Sequence, residues 1–368
     1  MSSTRSRRGT IFLGIAAVLA FGIGLAPMPY AIESPGPTFN TLGTSTVTDA
    51  DGKKSDVPLI SVSGAPSYAT TGSLDLLTVN LAGNPANRPS VFEVLTAWFN
   101  PDRAVIPMDV IFPPNISQAD VDKENQAAMV DSQNEAIAAA FTHLGYDVSH
   151  VTVDKVLDGS PATGILEVGD VVQSINGTPV ATIGQLRSAV ADNGTEKPAT
   201  LVVTRAGASV SVQVTPVLAS LDGQTQVPVI KIIGAATYDF PFSVTIKLDD
   251  VGGPSAGMMF ALGVLDKITP DDLTGGRHIA GSGTIDAAGV VGPIGGISKK
   301  MIGARNAGAE YMFVEKSNCS EAVGHVPDGL RVFSVSTLDD AIAALKVIAE
   351  PDSSTTRAAE LDALPTCR

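Results

Sequence analysis

A serine at position 255 stands in a turn whose composition suits nucleophilic chemistry. Residues 252–257 read Gly-Gly-Pro-Ser-Ala-Gly, between a strand-like pattern and a helical one. At the start of a helix, backbone amides point outward and the helix dipole favours negative charge. The amides of Ser255 and Ala256 are therefore expected to stabilise an oxyanion. Because a serine hydroxyl is a weak nucleophile alone, the chain must also supply a base.

Histidines provide one interpretation of that base. Residues 253–257 match the G-x-S-x-G turn of α/β-hydrolases, which pairs the serine with a downstream histidine and an acid. The available histidines are His278 and His325, and the available acids are Asp286 and Glu310. However, that fold builds a large parallel sheet before the nucleophile, and the preceding segment does not resemble one. A lone G-x-S-x-G is weakly specific, so a hydrolase using His325 stays an alternative.

A lysine provides the second interpretation. Three segments, GGPSAGMMFALGVL, GSGTIDAAGVVGPIGGISKK and ARNAGAEYMFVE, follow one another in the C-terminal half of the chain. Together they resemble the proteolytic domain of Lon proteases, in order and at nearly the family's spacing. In that family the serine of PSAG is the nucleophile and a lysine just beyond PIGG is the base. The resemblance therefore implies Ser255 and Lys300, in a domain that forms homo-oligomeric rings such as hexamers.

The chain offers two adjacent lysines, Lys299 and Lys300, which lie on different faces of the predicted helix. Lys300 shares a helix face with small apolar residues, namely Ala304, Ala307 and Gly308. Lys299 shares its face with Gly303 and Asn306. Burial disfavours the ammonium form and can lower a lysine pKa by several units from about 10.4. We therefore expect Lys300 to be buried and to act as the base.

A base of this kind needs a partner that holds its amine in place. The Lon family has a threonine in the strand before PIGG, and this chain has Ser282 at the matching position. One hydroxyl can do the same work, although without the methyl its rotamer is less fixed. The expected reaction is proton transfer from Ser255 to Lys300, attack on a peptide carbonyl, and hydrolysis of the acyl-enzyme by water.

Residues 147–220 form a different module, with Val- and Thr-rich strands broken by glycine turns. The segment LEVGDVVQSINGTPV, with a helix and two strands after it, resembles a PDZ domain of the kind found in bacterial proteases. Such domains bind an extended peptide as an added strand. We expect this module either to recruit or regulate substrates or to act only as a spacer.

The N-terminus carries a candidate membrane anchor in residues 1–30. Three arginines, Arg5, Arg7 and Arg8, precede an apolar stretch from Ile11 to Ala26. About 20 apolar residues cross a bilayer as a helix, and prolines after this stretch make an uncleaved anchor a better expectation than a signal peptide. By the positive-inside rule, the arginines stay cytoplasmic. The sequence thus predicts a single-pass protein of the cell membrane with its catalytic domain outside the cytoplasm.

Composition sets the remaining expectations about partners and cofactors. The chain is 44% hydrophobic with a formal net charge of -14, so globular domains are expected and nucleic acid would be repelled. No metal-ligand spacing and no G-x-x-x-x-G-K-[ST] run occurs, so neither a metal nor an ATP cofactor is expected. Outside the cytoplasm, Cys319 and Cys367 are expected to form a disulfide.

The sequence therefore predicts an α/β (α+β) chain of several units. After the anchor come a mixed N-terminal subdomain (31–146), the PDZ domain (147–220), the Lon-type proteolytic domain (225–350) and a loose polar tail (351–368). The predicted function is an ATP-independent serine endopeptidase acting on unfolded or extended polypeptides. A PDZ adaptor at the membrane, whose Lon-like domain only packs, is the alternative from another class.

Overall fold

The fold is mixed α/β, as the patterns of the sequence predict. A computed structural model describes residues 3–48, 51–113, 116–220, 225–249, 251–353 and 355–367, with backbone alone for residues 3–11. The first elements are α1 (Ser3–Gly24), β1 (Tyr30–Asn40), β2 (Thr44–Thr48), β3 (Lys54–Pro58), β4 (Ile60–Ser63), β5 (Ser73–Ala82), α2 (Val91–Trp98), β6 (Ala104–Pro107), α3 (Met108–Ile111) and α4 (Gln118–His143).

The middle and C-terminal parts continue this mixture of strands and helices. The middle holds β7 (Ser149–Val156), β8 (Val171–Ile175), β9 (Thr178–Pro179), α5 (Ile183–Asn193), β10 (Ala199–Arg205), β11 (Ala208–Val214), β12 (Val217–Ser220), β13 (Gln226–Val229) and β14 (Ile232–Tyr238). The last part holds β15 (Ser243–Ile246), α6 (Gly257–Ile268), β16 (His278–Ser282), β17 (Thr284–Ile285), β18 (Val291–Gly292), α7 (Ile297–Asn306), β19 (Tyr311–Glu315), α8 (Cys319–Ala322), β20 (Arg331–Val335), α9 (Leu338–Ala349) and α10 (Arg357–Ala363).

The main sheet has the strand order β20-β19-β16-β5-β1-β6. Strands β20, β19, β16 and β5 run parallel, while β1 pairs antiparallel with β5 and β6 pairs antiparallel with β1. Helices α4, α6 and α9 pack on one face and α7 on the other. Neighbouring strand residues enter opposite cores, since Phe313 packs with α6 while Met312 packs with α7. The sheet therefore holds α6 and α7 at fixed positions on its two sides.

The expected N-terminal subdomain (31–146) is not a separate unit, which corrects that prediction. Strands β1, β5 and β6 belong to the main sheet, and α4 packs against α6. The strand patterns were visible in the sequence, but a pattern does not say which distant strand becomes the hydrogen-bonding partner. The main sheet is consequently built from segments on both sides of the PDZ-like segment in the chain.

The PDZ segment folds around a second sheet with the order β11-β10-β8-β7-β14. Its core holds valines of β7 and residues of α5, and Asp170 is buried where Arg205 grips it with two hydrogen bonds of 2.7 Å. This ion pair fixes the Gly169-Asp170 turn of the PDZ-like segment. Strand β14 lies beyond the expected end at residue 220, yet it pairs antiparallel with β7 and forms the edge of this sheet.

Both ends of the chain bear on sequence predictions. Helix α1 forms where the anchor is expected, but among the described residues no helix is both long and apolar enough to cross a bilayer. The described part of the tail (351–353 and 355–367) is not loose, because Leu361 of α10 is buried and Thr366 bridges to Phe333 of β20. A disulfide joins Cys319 to Cys367, which ties the tail to the start of α8.

Candidate active site

The loop that carries Ser255 connects β15 to α6 and is braced by α4. The amide of Gly253 donates to the Asn125 carbonyl (2.9 Å), and the hydroxyl of Ser132 donates to the Pro254 carbonyl (3.0 Å). Gly253 has a φ of +86°, a conformation that glycine adopts without strain. These contacts hold the turn in one shape, with Ser255 immediately before the first turn of α6.

Lys300 reaches Ser255 from the opposite side of the sheet. Its Nζ lies 2.9 Å from the Ser255 Oγ and 3.0 Å from the Ser282 Oγ. The Ser282 hydroxyl in turn donates to the Ser255 carbonyl oxygen (3.0 Å). Because Ser282 is the last residue of β16, α6 and α7 meet at the carboxyl end of that strand. All three residues expected from the sequence are therefore within hydrogen-bond distance of one another.

Burial gives Lys300 the electrostatic character of a base. The residue is only 3% exposed, and desolvation lowers the pKa of Lys300 from 10.5 to about 8. The carboxylates of Glu33 and Glu321 oppose this shift because they favour the ammonium. Near neutral pH a measurable fraction of Lys300 is thus a free amine, which can accept the proton of Ser255.

The prediction that burial distinguishes Lys300 from Lys299 is wrong. Lys299 is also buried, at 7% exposure, because its Nζ donates to the Pro101 carbonyl oxygen at 2.8 Å. Segment 100–103, which joins α2 to β6, covers this side of α7, and the sequence does not show that contact. The two lysines differ instead in what their ammonium groups contact, since Lys300 contacts the Ser255 hydroxyl.

The start of α7 is set by residues outside the lysine motif. Gly296 precedes the helix with a φ of +70°, and a side chain there would collide with the carboxylate of Glu33 on β1. The Asn318 side chain clamps the backbone of Ile294, accepting from its amide (2.9 Å) and donating to its carbonyl (2.8 Å). This clamp and the glycine fix the register that points Lys300 at Ser255.

The backbone around Ser255 leaves two amides available for an oxyanion. Met258 donates its amide to Gly283, and Gly257 donates to Pro254. Neither the amide of Ser255 nor that of Ala256 has an acceptor within the described part of the chain. Both amides lie at the start of α6, where the helix dipole favours negative charge. They can therefore serve as the expected oxyanion donors.

A cavity of about 180 Å³ opens beside this centre. Ser255 and Lys300 line it, and residues 77–80 of β5 form its opposite wall. Strand β16 pairs with β5 only as far as Leu76. Beyond that residue, this side of β5 has no strand partner among the described residues and faces the cavity. The cavity thus places an open strand edge next to the hydroxyl of Ser255.

The histidine interpretation fails on geometry. His278 lies on β16, where its Nε2 is 2.6 Å from a carboxylate oxygen of Asp75. His325 lies in the loop after α8. Within the described residues neither imidazole contacts Ser255, whose hydroxyl partner is Lys300. No group of three or more metal-ligating side chains occurs in the described ranges either.

Four residues that support the site were missed by sequence reasoning. They are Glu33, Asn125, Ser132 and Asn318. Ser132 gave a weak signal, as a polar residue within the buried face of α4. The other three gave none, because they act through contacts between segments distant in the chain.

Comparison with known families identifies two regions of the chain. Residues 249–347 match the Lon protease (S16) C-terminal proteolytic domain, and residues 123–215 match the PDZ domain. The Lon protease of Lachnoclostridium phytofermentans is 31% identical over 93 residues, which cover 24% of this chain and 11% of that protein. Lon protease 2 of Bacillus subtilis is 32% identical over 94 residues, covering 25% of this chain and 16% of that protein.

These matches concern parts of larger proteins, since the chain spans only 11% and 16% of the length of those two relatives. Among solved structures, the PDZ domain of an SdrC-like protein from Listeria monocytogenes is 20% identical. It covers 24% of this chain and 88% of that chain, with a TM-score of 0.21.

The resemblance seen in the motifs is thereby confirmed. The chain contains a Lon-type proteolytic domain and a PDZ domain. The first is the domain of a serine peptidase, whose family mechanism is a serine-lysine dyad.

Proposed function

We propose that this protein is an ATP-independent serine endopeptidase in which Ser255 is the nucleophile and Lys300 the general base. The observation that carries the proposal is the 2.9 Å contact between the Ser255 hydroxyl and the amine of Lys300, a buried residue with a pKa of about 8. Burial lowers the pKa of Lys300, and the contact gives the proton of Ser255 a direct path to the Lys300 amine. A general base needs both.

The reaction proceeds through an acyl-enzyme. Neutral Lys300 takes the Ser255 proton as the oxygen attacks the peptide carbonyl, and the amides of Ser255 and Ala256 stabilise the oxyanion. The Lys300 ammonium then gives its proton to the leaving amine. Water attacks the ester with Lys300 again as base, which returns the serine. Ser282 acts as a positioning residue that holds the Lys300 amine throughout.

Extended polypeptide is the substrate that the cavity favours. The open edge of β5 at residues 77–80 can hydrogen-bond an added strand, and such pairing would lay a peptide carbonyl beside Ser255. A folded substrate cannot present a strand in this way. Because the sequence carries no G-x-x-x-x-G-K-[ST] run, we propose that substrates arrive already unfolded or extended, without ATP-driven unfolding.

The PDZ domain is proposed to recruit such substrates. Strand β14 ends its sheet beside α5, where a side chain on Gly234 would approach Ile183 of that helix. A strand edge next to a helix is the arrangement by which PDZ domains bind a peptide. This groove lies outside the dyad centre, so binding and cleavage use different surfaces.

We also propose that the protein is attached to a membrane with its catalytic domain outside the cytoplasm. It is further proposed to form a homo-oligomer. The exposed apolar side chains of α1, the arginines before them and the disulfide support the membrane attachment and its orientation, since disulfides persist in oxidising compartments. A reagent that cannot cross membranes should label the proteolytic domain on intact cells. Labelling only after lysis would contradict this orientation.

The proposed activity is tested by incubating the full chain with an unfolded protein without ATP. Peptide bonds should be cleaved, and the Ser255→Ala variant should cleave none. A variant at a hydroxyl remote from the site, Ser211→Ala on β11, should match the unmodified chain. If the chain and its Ser255→Ala variant both leave the substrate intact while the PDZ domain binds it, the protein is an adaptor.

A further inference from the structure

Helix α2 presents its large apolar side chains to solvent. Phe92 is 67% exposed, Leu95 51%, Trp98 68% and Phe99, directly after the helix, 82%. Only Val94 and Ala97 of this helix are buried. Monomeric soluble proteins rarely expose several large apolar groups together, and such a patch marks an interaction surface. We call these four residues the α2 face.

The α2 face is held rigidly rather than exposed by fraying. Ser90 caps the helix by accepting the amide of Glu93, and the Glu93 carboxylate bonds back to the Ser90 amide at 2.7 Å. This capping box stabilises the first turn. The amide of Val91 also donates to the Ala26 carbonyl (3.0 Å), which fastens α2 to the end of α1. The apolar side chains therefore stay on the outside.

The surroundings of the α2 face combine apolar and cationic groups. Helix α1, which contacts α2, exposes apolar side chains, and Leu25 directly after it is 60% exposed. Arg88 precedes α2 and Arg103 follows it, both exposed. Neither guanidinium has an ion-pair partner among the described residues. In a chain of net charge -14, two unpaired cations beside an aromatic patch indicate an anionic surface as its complement.

We propose that the α2 face rests in the interfacial layer of an anionic lipid bilayer. Tryptophan and phenylalanine favour the boundary between headgroups and acyl chains, and flanking arginines pair with anionic headgroups. The inference rests on the proposed membrane attachment, because α1 then delivers α2 to the same bilayer. A lipid surface would hold the proteolytic domain at a fixed tilt, so that α1 is not its sole tether.

Bilayer contact explains the arrangement better than a second copy of the chain does. A copy would bring its own acidic surface to Arg88 and Arg103, but it would not account for the continuity of the α2 face with the apolar side chains of α1. Lipid accounts for both features. Self-association remains a distinct outcome of the test below.

Trp98 makes the test direct, because it is the single tryptophan of the chain. The full chain is reconstituted in vesicles of phosphatidylcholine with phosphatidylglycerol, and Trp98 emission is recorded with lipids brominated at different depths. Emission should move to shorter wavelength, be quenched most by bromines near the headgroup end of the acyl chains, and resist iodide. The shift should weaken in vesicles of phosphatidylcholine alone.

Variants separate this inference from the attachment on which it rests. Phe92→Ser combined with Leu95→Ser should return Trp98 to aqueous emission while the protein still floats with vesicles. The matched control Leu218→Ser, which changes an exposed leucine on β12, should change neither signal. Hydrolysis of a soluble peptide by all variants checks that they fold.

Three results would overturn the inference. If the protein floats but Trp98 stays accessible to iodide, attachment stands and the α2 face does not contact lipid. If the emission shift follows protein concentration in detergent without lipid, the face binds a second copy. If the protein does not float at all, attachment fails too, whereas the proteolytic proposal is unaffected.

Discussion

The dyad centre and the PDZ unit differ in where their working groups originate. In the dyad centre, Ser255 and Lys300 lie in short motifs and contact each other at 2.9 Å, inside the protein. In the PDZ unit, the edge of the proposed groove is β14, a strand that enters from beyond the PDZ-like segment and ends its sheet. The proposed peptide-bond cleavage at the dyad centre depends on particular side chains held in place. The proposed recognition would depend on an open strand edge, which the fold creates.

The largest effect is expected at the dyad lysine. Replacing Lys300 with methionine keeps most of its volume but removes the base, and general-base catalysis is worth about 10²- to 10⁴-fold. The value of kcat/KM on a short peptide should fall by that factor. The matched control is Lys299→Met, which removes a buried amine whose partner is Pro101. It should lower stability but leave kcat near its original value; equal loss in the two variants would overturn the assignment.

A smaller effect is expected at Ser282, which positions the lysine. Ser282→Ala removes the hydroxyl 3.0 Å from Lys300 Nζ. A hydrogen bond to a charged group contributes about 1.5–3 kcal/mol, so kcat should fall roughly 10- to 100-fold. Ser282→Thr, which restores the hydroxyl, should recover most of the rate. If alanine and threonine behave alike, Ser282 does not position the base.

The PDZ unit predicts a different kind of change. Ile183 faces β14 across the groove, and Ile183→Glu places a carboxylate there. Turnover of an unfolded protein should fall several-fold through KM, while a short peptide is cleaved as before. The control Ser211→Glu lies on an exposed position of β11. If both substrates are cleaved unchanged by Ile183→Glu, the PDZ domain is a spacer and the comparison between regions fails.

The smallest effect is a shift of the pH profile. The Glu33 carboxylate favours the Lys300 ammonium and so raises the pKa of that lysine. Glu33→Gln removes this charge, so the pKa falls below about 8 and the acid limb of kcat/KM moves to lower pH. The exposed residue Glu310, changed to Gln, is the control. If the acid limb of kcat/KM does not move while kcat falls, Glu33 has a purely structural role.

The proposed dyad could be picked out in the sequence because both residues lie in short motifs that resemble those of Lon proteases. Glycine-rich segments around Ser255 and before Lys300 have few structural solutions, and their order along the chain is specific. Ser282 was identified from the same resemblance, because it stands at the position of the family's threonine. The disulfide partners were also identified, because two cysteines allow a single pairing. Each of these inferences needed only residues close in sequence or few in number.

The sequence could not reveal contacts between distant segments. Lys299 was expected to be the exposed lysine, yet the backbone at Pro101 covers it. The N-terminal strands β1, β5 and β6 were separated from the proteolytic domain that they complete. Strand β14 was expected in the proteolytic domain, but it pairs with β7 in the sheet of the PDZ unit. Strand pairing depends on tertiary contacts, so strand patterns alone leave it undetermined.

The central claim, that Lys300 activates Ser255 for acylation, is tested most directly by measuring acylation itself. The chain is treated with a serine-reactive peptide probe across a range of pH, and the modified residue is mapped by mass spectrometry. The adduct should lie on Ser255, and its rate should rise with pH around a midpoint near 8, as Lys300 loses its proton. In Lys300→Met that rise should vanish. An adduct on another residue, or the same pH dependence without Lys300, would contradict the mechanism.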